Sequence, residues 1–153
     1  LRGTALRGTV HDEAAAFMGG VSGNAGLFST AYDLGVIFQM LLDKGVCGDR
    51  RYLSRATCEL FTTMKSKISR RGLGFDRPDM KDIDQSPCAE EAPASVFGHT
   101  GFTGTCAWVD PENKLVFVFL SNRIYPEVCG SRKLMQLKIR ERVQRTMYQS
   151  LMK

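Results

Sequence analysis

Apolar residues recur along this chain in two periods, and the change from one to the other falls near residue 96. Leu34, Ile37, Phe38, Leu41 and Leu42 stand three and four positions apart, the spacing of one helix face. Thr30 occupies the N-cap position, with Asp33 three residues on, and Gly45 predicts a stop after Lys44. Ser54 predicts a second N-cap, for a helix to about Met64 that buries Cys58, Phe61 and Leu60. Beyond residue 96 the pattern predicts strands over 96–102, 105–110 and 115–121. Asp110-Pro111-Glu112-Asn113 joins the last two, with proline suited to a turn's second position and asparagine to a left-handed one. A final helix, about 131–151, carries Met135, Ile139, Val143, Met147 and Leu151 in an i+4 stripe, widened by Leu134 and Leu137.

The run from Leu115 to Leu120 does not alternate, so it needs cover on both faces. Burial of such side chains stabilises by about 1.5–3 kcal/mol each. The C-terminal helix is available for one face and the helices between Thr30 and Met64 for the other. The fold class expected is therefore α/β in a layered α+β arrangement, with a small antiparallel sheet of three to four strands and helices on both faces. One partial domain, 1–153, is expected in three stretches. Residues 1–65 form a glycine-rich loop and helices, 66–95 a linker and surface excursion, and 96–153 the hairpin sheet and last helix. Within the middle stretch, Gly72-Leu73-Gly74-Phe75 is a short strand candidate, while 77–95 holds three prolines, five acids and little that could form a core.

Hydrophobic residues at 43% and charged residues at 24% are ordinary values for a folded domain. No stretch approaches the roughly 20 apolar residues a membrane span requires. The opening LRGTALRGTV has neither the apolar core of a signal peptide nor an initiator methionine. The numbering is thus expected to begin inside a longer polypeptide; if that parent is exported, its signal peptide lies elsewhere, and the compartment stays open. The net charge of +5 is local: residues 131–153 hold seven basic side chains and one acid, Glu141. No aromatic interleaving or nucleic-acid motif accompanies this basic tail, which reads as a solvated helix face with no nucleic-acid partner. Five cysteines without a CxxC pair, and two histidines without metal-ligand spacing, predict no disulfide framework, metal or cofactor.

Glycine and threonine crowd the segment Gly98-His99-Thr100-Gly101-Phe102-Thr103-Gly104, a poor opening for a strand. Glycines in a strand pattern mark a bulge or a close approach by a ligand or another backbone. This run, with Pro111-Glu112, the apolar strand and Asn122-Arg123-Ile124-Tyr125-Pro126 after it, resembles the third motif and hairpin of the serine β-lactamase and penicillin-binding-protein superfamily. The resemblance is strongest to the class C enzymes and their esterase relatives. Upstream, GGVSGNAGLFSTAYDLGVIFQMLLDKG is similar to that family's glycine loop and helix start.

The resemblance implies an incomplete β-lactamase-like transpeptidase fold and acyl transfer through a serine ester, on a peptide, ester or lactam. It implies a site in which His99 and Thr100 line the cleft, Gly101 lets backbone approach an acyl group, and the Phe102 N–H gives half of an oxyanion hole. Thr103, Asn122 and Arg123 become substrate contacts. Histidine where lysine is common removes a permanent charge and suits a neutral ester or amide. The family's nucleophile does not match here. The only Ser-x-x-Lys is Ser150-Leu151-Met152-Lys153, at the chain end; Thr62-Thr63-Met64-Lys65 has threonine; and no tyrosine precedes an asparagine by two. His11-Asp12-Glu13 is expected to tie down the glycine loop.

The chain is thus expected to be the C-terminal part of a serine hydrolase acting on a small molecule or on cell-wall peptide or ester, inert by itself. Its apolar strand 115–121 is expected to pair with the missing N-terminal half or with a second copy. The rival is a non-catalytic binding module that retains the fold.

Overall fold

The computed structural model describes residues 5–63, 66–126 and 132–151. A short helix α1 (Glu13–Phe17) precedes the glycine loop, and α2 (Ala31–Leu42) follows it. A small hairpin, β1 (Val46–Cys47) and β2 (Arg50–Arg51), leads to α3 (Arg55–Thr62). The main sheet consists of β3 (Phe97–Thr100), β4 (Cys106–Asp110) and β5 (Leu115–Phe119), antiparallel in that order. Helices α4 (Lys133–Gln136) and α5 (Ile139–Leu151) close the chain.

Local chemistry sets the helix starts. Thr30 and Ser54 sit in extended backbone and accept the Asp33 and Thr57 N–H groups through their hydroxyls, as capping residues should. Asp12 does the same for α1, through Ala15 N–H at 2.7 Å. The chain reverses after α2 through Lys44 and Gly45, both at positive φ.

β4 lies between two partners and all five of its residues are buried, so its two faces are both core. Register pairs Trp108 with Phe117 and Cys106 with Phe119, which places these four on one face. There they join Cys88, Ala89, Ala92, Val96 and Tyr148 in the main core cluster, with Met147 packed against it. Val109 and Val116 share the opposite face, toward α2. Phe97 stacks edge-on against Phe75, and Phe75 against Phe38 of α2. A small antiparallel sheet with helices on both faces is therefore the observed architecture.

Asp110 closes the hairpin. It is 2% exposed, and its Oδ1 accepts the Glu112 and Asn113 N–H groups at 2.9 and 3.1 Å. Its Oδ2 accepts Asn113 Nδ2 and the Tyr148 hydroxyl, each at 2.8 Å, which fastens α5 to the turn. The left-handed residue is Lys114 rather than Asn113, because Asn113 is drawn inward to bond the Asp110 carboxylate.

Several expectations are corrected. The 77–95 segment contributes Cys88, Ala89 and Ala92 to the core, since small side chains fit against Trp108 where large ones would not. Residues 72–75 form no strand; the sheet's outer edge is met one residue later, where Asp76 and Gly98 exchange backbone hydrogen bonds of 2.7 and 3.1 Å. The C-terminal helix breaks at Lys138, which has φ 46°, and the i+4 stripe meets the core only in part, through Met147. Met135, Val143 and Leu151 are exposed, while Gln144 and Tyr148 are buried because each has a buried partner, Ala89 N–H and Asp110 respectively. In α3 the buried pair is Cys58 and Thr62, with Leu60 and Phe61 exposed. Met64, Lys65, Cys129 and Lys153 lie outside the described residues.

Candidate active site

β3 ends at Thr100, two residues before the expected strand end, because Gly101 to Gly104 fold into a closed turn. Gly101 N–H donates to Thr105 O at 2.7 Å and Gly104 N–H donates to Gly101 O at 3.0 Å. Gly104 has φ +109°, a conformation that strains any residue with a Cβ. The orientation of the next amide follows. In a trans peptide the carbonyl and the N–H point in opposite directions. The Gly101 carbonyl is turned inward to Gly104, so the Phe102 N–H of the same peptide unit points out of the turn. No acceptor among the described residues takes it.

That turn borders a cleft of about 620 Å³. Gly101, Phe102 and Thr103 form one wall; residues 10–14 and the glycine loop 22–27 form the others. The walls are tied together. Asp12 caps α1 and also accepts Asn24 Nδ2 at 3.1 Å, and Ser22 Oγ meets Asn24 Oδ1 at 2.5 Å. The His11 ring stacks on the Phe102 ring at 5.8 Å between centroids. Hydrogen bonds from Ala15 N–H and then Asn24 hold the Asp12 carboxyl below its ordinary range, so it stays an acceptor at neutral pH.

Arg123 grips the turn from behind. Its Nε donates to Phe102 O at 2.6 Å, its backbone N–H to Thr103 O at 2.9 Å, and its guanidinium lies 4.4 Å from the Phe102 ring centroid. From α5, Arg140 Nη1 donates to Thr105 O at 3.2 Å, the same carbonyl that receives Gly101 N–H.

Of the residues singled out in the sequence, Gly101, Phe102 and Thr103 line the cleft, together with His11, Asp12 and Glu13. Thr100 does not line it, and neither does His99. Its Nδ1 faces the Thr100 carbonyl at 2.6 Å and its Nε2 faces Arg71 Nη1 at 3.1 Å. A carbonyl only accepts and a guanidinium only donates, so this geometry selects the neutral tautomer with the proton on Nδ1. Arg71 also lies 3.7 Å from the buried Asp76, which is paired bidentately with Arg70 at 2.7 and 3.0 Å. Asn122 Oδ1 accepts Ile124 N–H at 3.3 Å within its own loop. Arg123 acts on the turn, as described, rather than lining the cleft. Asn24, Arg71 and Arg140 had no motif to mark them; the one available signal was that Asn24 carries the only amide side chain inside the glycine loop. Among the described residues no group of three or more His, Cys, Asp or Glu is placed to hold a metal ion.

This arrangement offers an outward backbone donor, a fixed turn and an open, partly polar cleft. It is matched from residue 2 to 139 by the family model described as Beta-lactamase. The chain is 38% identical over 134 residues to a protein of Escherichia coli (strain K12) named "Putative D-alanyl-D-alanine carboxypeptidase", covering 87% of this chain and 31% of that protein. It is 37% identical over 131 residues to the N-acetylmuramyl-L-alanine amidase of Bacillus subtilis (strain 168), covering 84% of this chain and 29% of the relative. This chain thus spans about a third of the length of the curated relatives it matches.

Proposed function

The chain belongs to the beta-lactamase family, and from that premise we propose that it supplies one wall of a serine hydrolase active site, with the Phe102 N–H as an oxyanion donor. Family membership and the relatives' names support a hydrolase. The finer reading is supported by one conjunction: Phe102 lines the cleft, and its N–H is taken by no acceptor among the described residues.

In this reading a serine on a segment outside these 153 residues attacks a substrate carbonyl. A neighbouring base takes the hydroxyl proton, because a free hydroxyl is a poor nucleophile. Charge then develops on the carbonyl oxygen, where a donor already in place lowers the barrier by about 3–4 kcal/mol. The leaving group departs with a proton, and water cleaves the resulting serine ester. His99 and Thr100 act here as the strand that carries the turn, Gly101 opens the turn at the cleft, and Thr103 faces the substrate. The relatives' names favour a peptide or amide of the cell wall as substrate, and a small ester would fit the same chemistry. The Arg71 guanidinium beside His99 returns positive charge to the neighbourhood that a lysine would supply, so an anionic substrate is compatible with it.

The partner that completes the site is proposed to join at β5. Its outer edge pairs with no strand among the described residues. Beside it an open groove of about 510 Å³ runs between α2, the β1–β2 hairpin, Val116 and Val118. Unpaired, apolar strand edges recruit further strands. The remaining two-thirds of the relatives' length favours a segment of the same polypeptide over a second copy of this chain.

The experiment is labelling of the parent polypeptide with a fluorophosphonate, followed by peptide mass spectrometry. One labelled serine outside residues 1–153, competed by a chromogenic ester, is expected. Binding of cell-wall peptide with no serine labelled would favour the non-catalytic module.

A further inference from the structure

We propose that Arg123 is a positioning residue for the oxyanion donor, setting the direction of the Phe102 N–H through the two carbonyls that follow it; the proposal rests on the reading of the cleft given above. A two-residue turn tip has few restraints of its own. Here Phe102 and Thr103 sit between Gly101 and Gly104, and glycine at both ends leaves the backbone free to rotate. The Gly104 N–H to Gly101 O bond fixes one side of the tip. Nothing within the turn fixes the other.

Arg123 does so three times over. Its Nε–H takes the Phe102 carbonyl, its own backbone N–H takes the Thr103 carbonyl, and its guanidinium covers the Phe102 ring. His11 stacks on the same ring, so Phe102 meets a cation on one contact and an imidazole on another. The Thr103 carbonyl shares a peptide unit with the Gly104 N–H, and that N–H holds the Gly101 carbonyl, which shares a peptide unit with the Phe102 N–H; releasing the Arg123 bonds frees this relay, which is how a side chain that never meets substrate can aim a donor. The guanidinium geometry matters. Nε–H and the planar head act at once, whereas a lysine ammonium has no donor at that point along its stem.

Arg140 is a second restraint on the same turn and gives an independent variant. It is half-buried and shares the Thr105 carbonyl with Gly101 N–H, while its shielded Nε has no hydrogen-bond partner among the described residues.

The test compares Arg123→Gln, Arg123→Lys and Arg140→Gln in the parent polypeptide, with p-nitrophenyl acetate as substrate. Misplacing a reacting group by about 1 Å costs up to about 100-fold. Each Arg123 variant is therefore expected to lower kcat by about 10- to 100-fold, with KM within about twofold of the unsubstituted protein. Arg123→Lys should recover little of the loss, and Arg140→Gln should show a smaller fall of the same kind. A kcat left unchanged by Arg123→Gln, a loss confined to KM, or full recovery by Arg123→Lys would overturn the proposal. Should Arg123→Gln fail to fold, Arg123→Lys decides.

A second measurement is independent of activity. In the parent labelled with 15N-phenylalanine, the Phe102 amide resonance, assigned by its loss in Phe102→Leu, should move or broaden in Arg123→Lys while the other phenylalanine amides stay. An unmoved resonance refutes the positioning role. If the unsubstituted parent shows no esterase activity, the functional reading fails, and this resonance still decides the role of Arg123.

Discussion

Replacing Gly98 by alanine is expected to damage the protein far more than the same change at Gly101. Alanine normally suits a strand better than glycine by about 0.5–1 kcal/mol, and Gly98 is not at positive φ, so backbone preference favours the change. Space does not. A Cβ at Gly98 would stand 2.7 Å from Trp108 Cε3 and 2.8 Å from Trp108 Cα, and closer still to the Ala107 carbonyl oxygen. Real Cβ contacts essentially never fall under 3.0 Å, and the obstacles are backbone and a buried indole, neither of which can swing aside. Strands lie about 4.8 Å apart, so β3 must be pushed from β4 along the line of its ladder. Overpacking of this kind costs about 1–3 kcal/mol, and each weakened ladder bond about 1 kcal/mol more. After subtracting the strand preference, a net loss of about 2 kcal/mol remains, roughly a 30-fold fall in the folding constant. At Gly101 the Cβ would meet the Thr105 hydroxyl, the movable end of a side chain, and a change within about 0.5 kcal/mol is expected. Urea unfolding measures both: the Gly98→Ala midpoint should fall with the slope unchanged. A Gly98→Ala protein within 0.5 kcal/mol of the parent, on the order of ordinary surface changes, would refute the steric argument, as would equal losses at the two sites.

Tyr148→Phe should destabilise by about 1–3 kcal/mol, because it strips a hydroxyl donor from the buried Asp110 carboxylate; a chemical denaturation midpoint equal to the parent's would contradict this. Burial pushes the Cys106 thiol up to about 11 and the Cys88 thiol higher still, so iodoacetamide at pH 8 should spare both in the folded protein and reach the half-buried Cys47 before either, as read by peptide mass spectrometry. The Asp12 carboxyl is held below its usual 3.8 by Ala15 N–H and Asn24, so its capping contribution is complete above that value and is lost as pH falls through the lowered midpoint. Asn24→Ala should raise that midpoint in a carboxyl-carbon NMR titration, and an unmoved midpoint would remove Asn24 as a cause. The 153-residue chain alone should self-associate through β5 in light scattering, and a charged substitution at Val118 should abolish this; a monomer with slow amide exchange in β5 would count against the open edge.

The elements with local causes were legible in the sequence. Thr30 and Ser54 announced their helices because a hydroxyl at an N-cap acts within three residues. The three strands and the Asp110 turn were likewise written in short apolar runs and turn chemistry. The errors lie where a distant partner overrode the local pattern. Gln144 and Tyr148 look like surface residues until Ala89 and Asp110 are known, and their burial leaves Val143 and Leu151 of the apolar stripe of α5 exposed. Cys88, Ala89 and Ala92 sit among prolines and acids, so no periodicity marked them as core. The site divides in the same way. Gly101 was marked by glycines that a strand would not otherwise tolerate, and Phe102 only by the resemblance to the family's third motif. The stacking of His11 on Phe102, the Asn24 tie to Asp12 and the grip of Arg123 join segments far apart in sequence, and single residues at such separations leave no repeating signal.

The most direct measurement is a structure of the parent polypeptide acylated at its reactive serine. The acyl carbonyl oxygen is predicted to lie about 2.7–3.1 Å from the Phe102 nitrogen, within the cleft bounded by Gly101 and the glycine loop. An acyl oxygen turned away, with the Phe102 N–H bonded to water or to protein, would contradict the assignment of this turn as an oxyanion donor.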